Sequence, residues 1–209
     1  MIGITQFETF LITGVLLNIT PGNDTIFILT RSIAHGRKAG IMSVLGIATG
    51  SMIHTFLAAF GLSVIISKSM LAFNIIQYAG AAYLFYIGYA MLIEKALLNT
   101  ENAVAHKTTD YLKIYRDGVF TNVLNPKVAL FFIAFLPQFI DPTIKDTVLS
   151  FLVLGITFTI TGTIWCLILA IFASGIFSKL KENKQVSGYV NKICGAVLIG
   201  LGLKVAMIK

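Results

Sequence analysis

Charge is what this sequence has least of. Charged residues make up 12% of its 209 positions, about half the share of an ordinary soluble domain. Aspartate and glutamate number only 9 together, too few for an acidic surface or a many-carboxylate cage. The 2 cysteines, Cys166 and Cys194, sit in apolar runs without CxxC or Cys/His spacing, which excludes a disulfide framework and a thiolate metal site. The 3 histidines form no ligand pattern, so neither a metal nor a cofactor is expected. The opening MIGITQFETF lacks a basic stretch and a small-residue cleavage site, so it reads as the approach to a first membrane helix rather than a signal peptide. Prolines number 4, which makes each one inside an apolar run informative.

Hydrophobic residues fill 56% of the chain. Crossing a bilayer takes roughly 20 apolar residues, so six spans would use about 120 and leave no room for a separate soluble domain. Three spans stand out as runs without acid or base, between Lys38 and Lys68, between Lys68 and Glu94, and between Asp146 and Lys179. The last is long enough to include loop at one end. Three weaker segments run from Phe7 to Thr30, Gly118 to Phe139 and Val186 to Ile208, with Asp24 inside one and Lys127 inside another.

Of the 16 basic residues, 11 fall in the loops after spans one, three and five. The net charge of +7 is therefore the cytoplasmic loop enrichment of a membrane protein, and no nucleic-acid partner is implied. The same bias predicts both termini outside the cytoplasmic membrane, in a multi-pass all-α protein embedded in the lipid bilayer. A homo-oligomer is compatible with this plan.

The chain divides near its middle. Residues 96–112 form a polar cytoplasmic linker between repeat one (about 1–95) and repeat two (about 113–209) of a single membrane domain, 1–209. Gly14-Val15-Leu16-Leu17-Asn18 matches Gly118-Val119-Phe120-Thr121-Asn122 half a chain later, and each match is followed by a proline, Pro21 or Pro126. Three helices per half puts the second copy in the membrane upside down, the inverted-repeat plan of secondary transporters.

Thr20-Pro21 and Asn125-Pro126 should break helices 1 and 4. Pro21 frees the carbonyl of Leu17 and Pro126 that of Asn122, and hydrocarbon offers neither a partner. Thr20 and Asn125 are good helix caps with proline as the first helical residue, so each helix stops and restarts in mid-membrane. Asp24 and Lys127 lie just inside the restarts. A charge at the bilayer centre costs roughly 2.5–3.5 kcal/mol, so both should face the interior as a substrate or proton site, or else as a structural ion pair. Asn18, Thr20, Pro21, Gly22, Asp24, Asn122, Asn125, Pro126 and Lys127 are the substrate-binding candidates. Asp24 and His54 are the candidates for proton coupling.

Three sequence stretches, Thr20-Pro21-Gly22-Asn23-Asp24, Gly36-Arg37-Lys38-Ala39-Gly40 and Gly46-Ile47-Ala48-Thr49-Gly50, resemble the lysine exporter / homoserine–threonine resistance family of amino-acid efflux proteins. Asn125-Pro126-Lys127 with Phe131-Phe132 and Phe135-Leu136-Pro137-Gln138-Phe139 resembles that family's second signature. The resemblance implies export of an amino acid in exchange for protons. The residues fit such a cargo by their charges, the two helix N-termini and Lys127 suiting an α-carboxylate and Asp24 an α-ammonium. Asn23 stands where the family commonly has a second proline, which should soften the first break. The rival readings are a membrane-embedded enzyme, for which no nucleophile, base or metal constellation is present, and a cation or metal exporter, which would want more acidic or thiolate ligands.

Overall fold

A computed structural model describes residues 3–64, 109–141, 143–144 and 147–182, with isolated helical positions between 71 and 93 and between 192 and 203. The expected third and sixth spans, and the linker up to residue 108, otherwise lie outside the described residues. Five helices carry the rest: α1 (Phe7–Ile19), α2 (Asn23–Leu57), α3 (Tyr111–Val123), α4 (Pro126–Leu130) and α5 (Val148–Glu182). A π turn, Ala58–Leu62, extends α2, while Phe131–Phe135 and Leu136–Phe139 extend α4 as π and 3-10 turns.

By length and composition, Arg37–Leu62 and Val148–Phe172 are each able to cross a membrane. Tyr111–Val123 and Pro126–Phe139, bent by 47°, make a third span if they count as one. The apolar side chains that face outward, among them Ile12, Leu57, Phe60 and Ile164, are the surface a bilayer requires.

α2 is one helix with a corner. Gly36 sits at φ 81°, a left-handed conformation that side-chain-bearing residues rarely adopt, and the chain turns there from the first apolar segment into the second. Lys38 lies over the Tyr111 ring, 4.5 Å from its centre, which fixes the corner against the start of α3.

The expectation of loop at one end of the 146–179 run is corrected. α5 is continuous for 35 residues, about 52 Å at helical rise, against a hydrocarbon core of about 30 Å. The run of Lys179 and Lys181 ends the apolar span without ending the helix.

Glycine sets how the spans pack. A Cβ at Gly46 would collide with the Tyr115 carbonyl and meet Gly118 Cα at 3.0 Å; at Gly50 it would meet Asn122 Cβ at 2.7 Å. α2 and α3 therefore touch backbone to backbone. A phenylalanine cluster closes the other side. Phe131 stacks on Phe158 with ring centres 4.0 Å apart, and Phe10, Phe132, Phe135 and Phe139 join it.

Three contacts give the relative direction of the two broken segments. Ile4 pairs with Ile140 in an antiparallel bridge, Asp24 bonds Asn122 at 2.8 Å, and Arg31 pairs with Asp117 at 3.4 Å. As the first segment ascends in number the second descends. The two cross the structure side by side in opposite directions, with their breaks level.

Candidate functional site

The two breaks are built differently. Asn125 caps α4 as expected: its Oδ1 accepts the Lys127 amide at 3.0 Å, with Pro126 as the first helical residue. Thr20 does not cap α2. Its hydroxyl donates back to the Leu16 carbonyl at 2.8 Å, the local bond that threonine offers a helix end. The chain stays extended at Gly22, which holds the cap position without a side-chain bond, and the helix restarts at Asn23 rather than Pro21. Asn23 thus occupies the first helical position. Proline is favoured there but not required, and the break is complete without it.

Each break satisfies the charge of the other. Asp24, at the first restart, accepts the Asn122 amide on Oδ2 at 2.8 Å and the Asn125 amide on Oδ1 at 3.0 Å. Lys127, at the second restart, donates from Nζ to the Thr20 carbonyl at 3.0 Å and the Leu17 carbonyl at 3.2 Å. The carbonyl that Pro21 frees is therefore taken by Lys127. The Asn122 carbonyl, which Pro126 cannot serve, accepts the Asn125 N–H at 3.0 Å and lies 3.3 Å from His54 Nε2. Gly22 makes room for the lysine: a Cβ there would stand 3.3 Å from Nζ and 3.6 Å from Cε.

Asp24, Lys127, Asn18 and Asn122 line one cavity of about 40 Å³, with Leu17 and Phe158 among its apolar walls. At about 10–15 Å³ each, it has room for some three waters, not for an amino acid. Asn122 is 2% exposed, and its Oδ1 has no hydrogen-bond partner among the described residues. A buried acceptor left unpaired beside a cavity is a place for a donor to bind.

Asn18 does a different job. Its amide nitrogen ties α1 to α5 through Thr161 Oγ1 at 3.2 Å and the Phe158 carbonyl at 3.3 Å, and its Oδ1 would stand 2.9 Å from a Cβ at Gly162. His54 is buried and stacks on Phe132, ring centres 5.6 Å apart at 18°, and bonds break two from α2. Thr20, Pro21 and Gly22 shape break one, and Pro126 shapes break two.

Sequence reasoning missed the α5 wall: Phe158, Thr159, Gly162 and Thr163 line the cavity, and Thr159 bonds Ser51 at 2.7 Å. A signal was present, because Thr157, Thr159, Thr161 and Thr163 alternate through an apolar span. Cys166, read as a packing residue, is buried and also lines the cavity.

Residues 15–208 match the family model described as LysE type translocator. The chain is 30% identical over 213 residues to the leucine efflux protein of Salmonella typhimurium, covering 99% of this chain and 97% of that one. It is likewise 30% identical over 201 residues to an uncharacterised membrane protein, YrhP, of Bacillus subtilis, covering 93% and 95%. No solved structure matches.

Proposed function

We propose that this chain, which belongs to the LysE type translocator family, exports an amino acid as a zwitterion held between the two helix breaks. The protein is a membrane transporter and not an enzyme. The observation that carries the proposal is the pair of opposite charges lining one cavity, each held by neutral groups of the other's break.

A zwitterion exchanges for those groups one by one. Its α-carboxylate draws Lys127 Nζ from the Leu17 and Thr20 carbonyls, and the uncapped start of α2 beside Gly22 adds a favourable dipole. Its α-ammonium donates to Asp24 and to the open Asn122 Oδ1. Each protein charge gains an opposite charge as it loses a neutral partner, which offsets its desolvation. The cavity must widen for this, so binding is coupled to movement of the segments around the breaks.

Proton antiport completes the reading. Protonation of Asp24 from outside discharges the ammonium site, and loss of that proton inside restores it. The opposed directions of the two broken segments support inverted repeats of three spans each. The loop charges support both termini outside the bacterial cytoplasmic membrane. The leucine efflux relative supports an amino acid as the cargo. Asp24's partners are amides rather than converging acids or thiols, so nothing at the site favours a metal.

Counterflow in proteoliposomes, run against a panel of radiolabelled amino acids with and without an imposed pH gradient, tests the proposal. Saturable amino-acid counterflow is expected, with net export driven by inward proton movement. Failure of the whole panel would overturn it.

A further inference from the structure

We propose that the site accepts only amino acids whose side chain is uncharged, and that Val44, Ile47 and Cys166 form the wall that selects it. The inference rests on the amino-acid reading above and adds the class of cargo. Among the described residues that line the cavity, Asp24 and Lys127 are the only charged ones, and the α-ammonium and α-carboxylate of the cargo take both. A further charge, on the side chain of lysine, arginine or glutamate, would enter with no opposite charge left to meet it. A buried charge without a partner is strongly disfavoured. In 65–108 and 183–209 the sequence has acids only at Glu94 and Glu101, at the end of the expected third span and in the linker. Those stretches therefore hold no carboxylate inside an apolar run for a basic side chain to meet.

The rest of the lining divides into a closed side and a yielding one. Leu17, Val128 and Phe158 belong to the phenylalanine cluster, where Phe131 stacks on Phe158 and fills the space behind it. Val44, Ile47 and Cys166 belong to a separate cluster with Ile28 and Ala170, built from α2 and α5, whose buried members are all smaller than a phenylalanine. The polar lining offers a side chain little. Ser51 and Thr159 bond each other at 2.7 Å, and the Asn18 amide nitrogen is held by Thr161 and the Phe158 carbonyl. A site built to read a hydroxyl or an amide would present unpaired polar groups to it. Among the described lining residues, the one buried side-chain atom without a partner is Asn122 Oδ1, and the ammonium takes that. An aliphatic group laid against Val44, Ile47 and Cys166 gains by leaving water. None of these three residues belongs to either break, so their size can change while the charged groups keep their places.

Counterflow in proteoliposomes tests the class on the unaltered protein. Alanine, valine, leucine and methionine should exchange, whereas lysine, arginine and glutamate should fall at least about a hundredfold below them in kcat/KM, the scale of a buried charge left unpaired. Lysine or glutamate carried within about tenfold of the best neutral amino acid would overturn the proposal. Two variants test the wall, read as the ratio of kcat/KM for leucine to that for alanine. Cys166→Leu fills the space beside Val44 and Ile47 and should lower the ratio about tenfold, the scale of one methylene in an apolar pocket. Val44→Ala opens it and should raise the ratio by a similar factor. Both substrates are measured on one preparation, so a smaller folded fraction cancels in the ratio, and Val44→Ala carries the test if Cys166→Leu does not fold. A ratio unmoved in the folded variants would overturn the assignment of the wall. The two readings fail separately: if no amino acid exchanges, the amino-acid reading itself falls, whereas if charged and neutral ones exchange alike, that reading stands and the selection for an uncharged side chain falls.

Discussion

Removing Asp24 and Lys127, singly and together, separates a transport site from a structural brace. Either single substitution leaves the other charge in a largely apolar interior, a loss of about 3–5 kcal/mol when a buried pair is broken. If charge balance were all that mattered, Asp24→Asn/Lys127→Met would return to the starting stability. The geometry adds a second cost. Methionine leaves the Leu17 and Thr20 carbonyls without the Nζ they share, at about 1–3 kcal/mol for each buried group left unpaired. An asparagine at 24 also sets its own amide against those of Asn122 and Asn125, so one of the two bonds to Asp24 is lost, and bonds to charged groups are worth about 1.5–3 kcal/mol. The double variant should therefore fold and improve on the worse single one, yet remain at least about 2 kcal/mol below the unaltered protein. It should show no amino-acid counterflow. Thermal unfolding in detergent and counterflow in proteoliposomes read the two quantities from one preparation. A double variant with full stability and the ordinary export rate would refute the reasoning: the charges would then be a brace, and the site would lie elsewhere.

Pro126→Ala replaces a proline favoured at the first position of α4, so stability should fall slightly, by about 0.4–1 kcal/mol as the unfolded chain gains freedom, while counterflow falls sharply; normal transport would make the proline incidental. Gly50→Val should cost about 1–3 kcal/mol by overpacking against Asn122 and reduce transport with it, whereas Gly61→Ala, with nothing within 4 Å, should leave transport unchanged; unfolding and counterflow of both variants check the contrast. Gly22→Ala should displace Lys127 Nζ by a few tenths of an ångström and raise the KM for counterflow only modestly, within about threefold, a fraction of a charge-assisted bond. For topology, a single cysteine at Thr100 should be protected from an impermeant thiol reagent in intact cells and labelled in inside-out vesicles; labelling in intact cells would reverse the assigned orientation.

Much of the site was legible because its residues violate the rules of their surroundings. Proline and charge are costly within apolar runs, so Pro21, Asp24, Pro126 and Lys127 stand out by composition alone. The family resemblance was carried by those same residues and by the glycines of α2, and the match over residues 15–208 agrees with it. What composition could not reach was the choice of partner. An aspartate and a lysine at two breaks invite a direct pair, and only the fold assigns amides to the one and carbonyls to the other. Thr20 shows the same boundary locally. Its residue type permits a forward cap or a backward bond, and the backbone at Pro21 and Gly22 decides for the second. The length of α5 escaped for another reason: hydropathy marks where a helix leaves lipid, while propensity and hydrogen bonding mark where it ends.

On the proposed reading, the reciprocal bonding lets one site serve with and without cargo. A transporter that held Asp24 and Lys127 in a tight direct pair would have to break that pair before any zwitterion entered, and broken buried pairs cost several kcal/mol. Here each charge hydrogen-bonds neutral dipoles of the opposite break, which help keep it in a membrane interior and are weaker than a full counter-charge. A substrate ammonium or carboxylate can displace them at a modest cost, and the displaced groups are not left stranded on the far side of the protein. They belong to the opposite break, so drawing Lys127 from Leu17 and Thr20, or the amides from Asp24, loosens the contact between the two segments just where they must move. On the proposed reading, binding and opening are the same event.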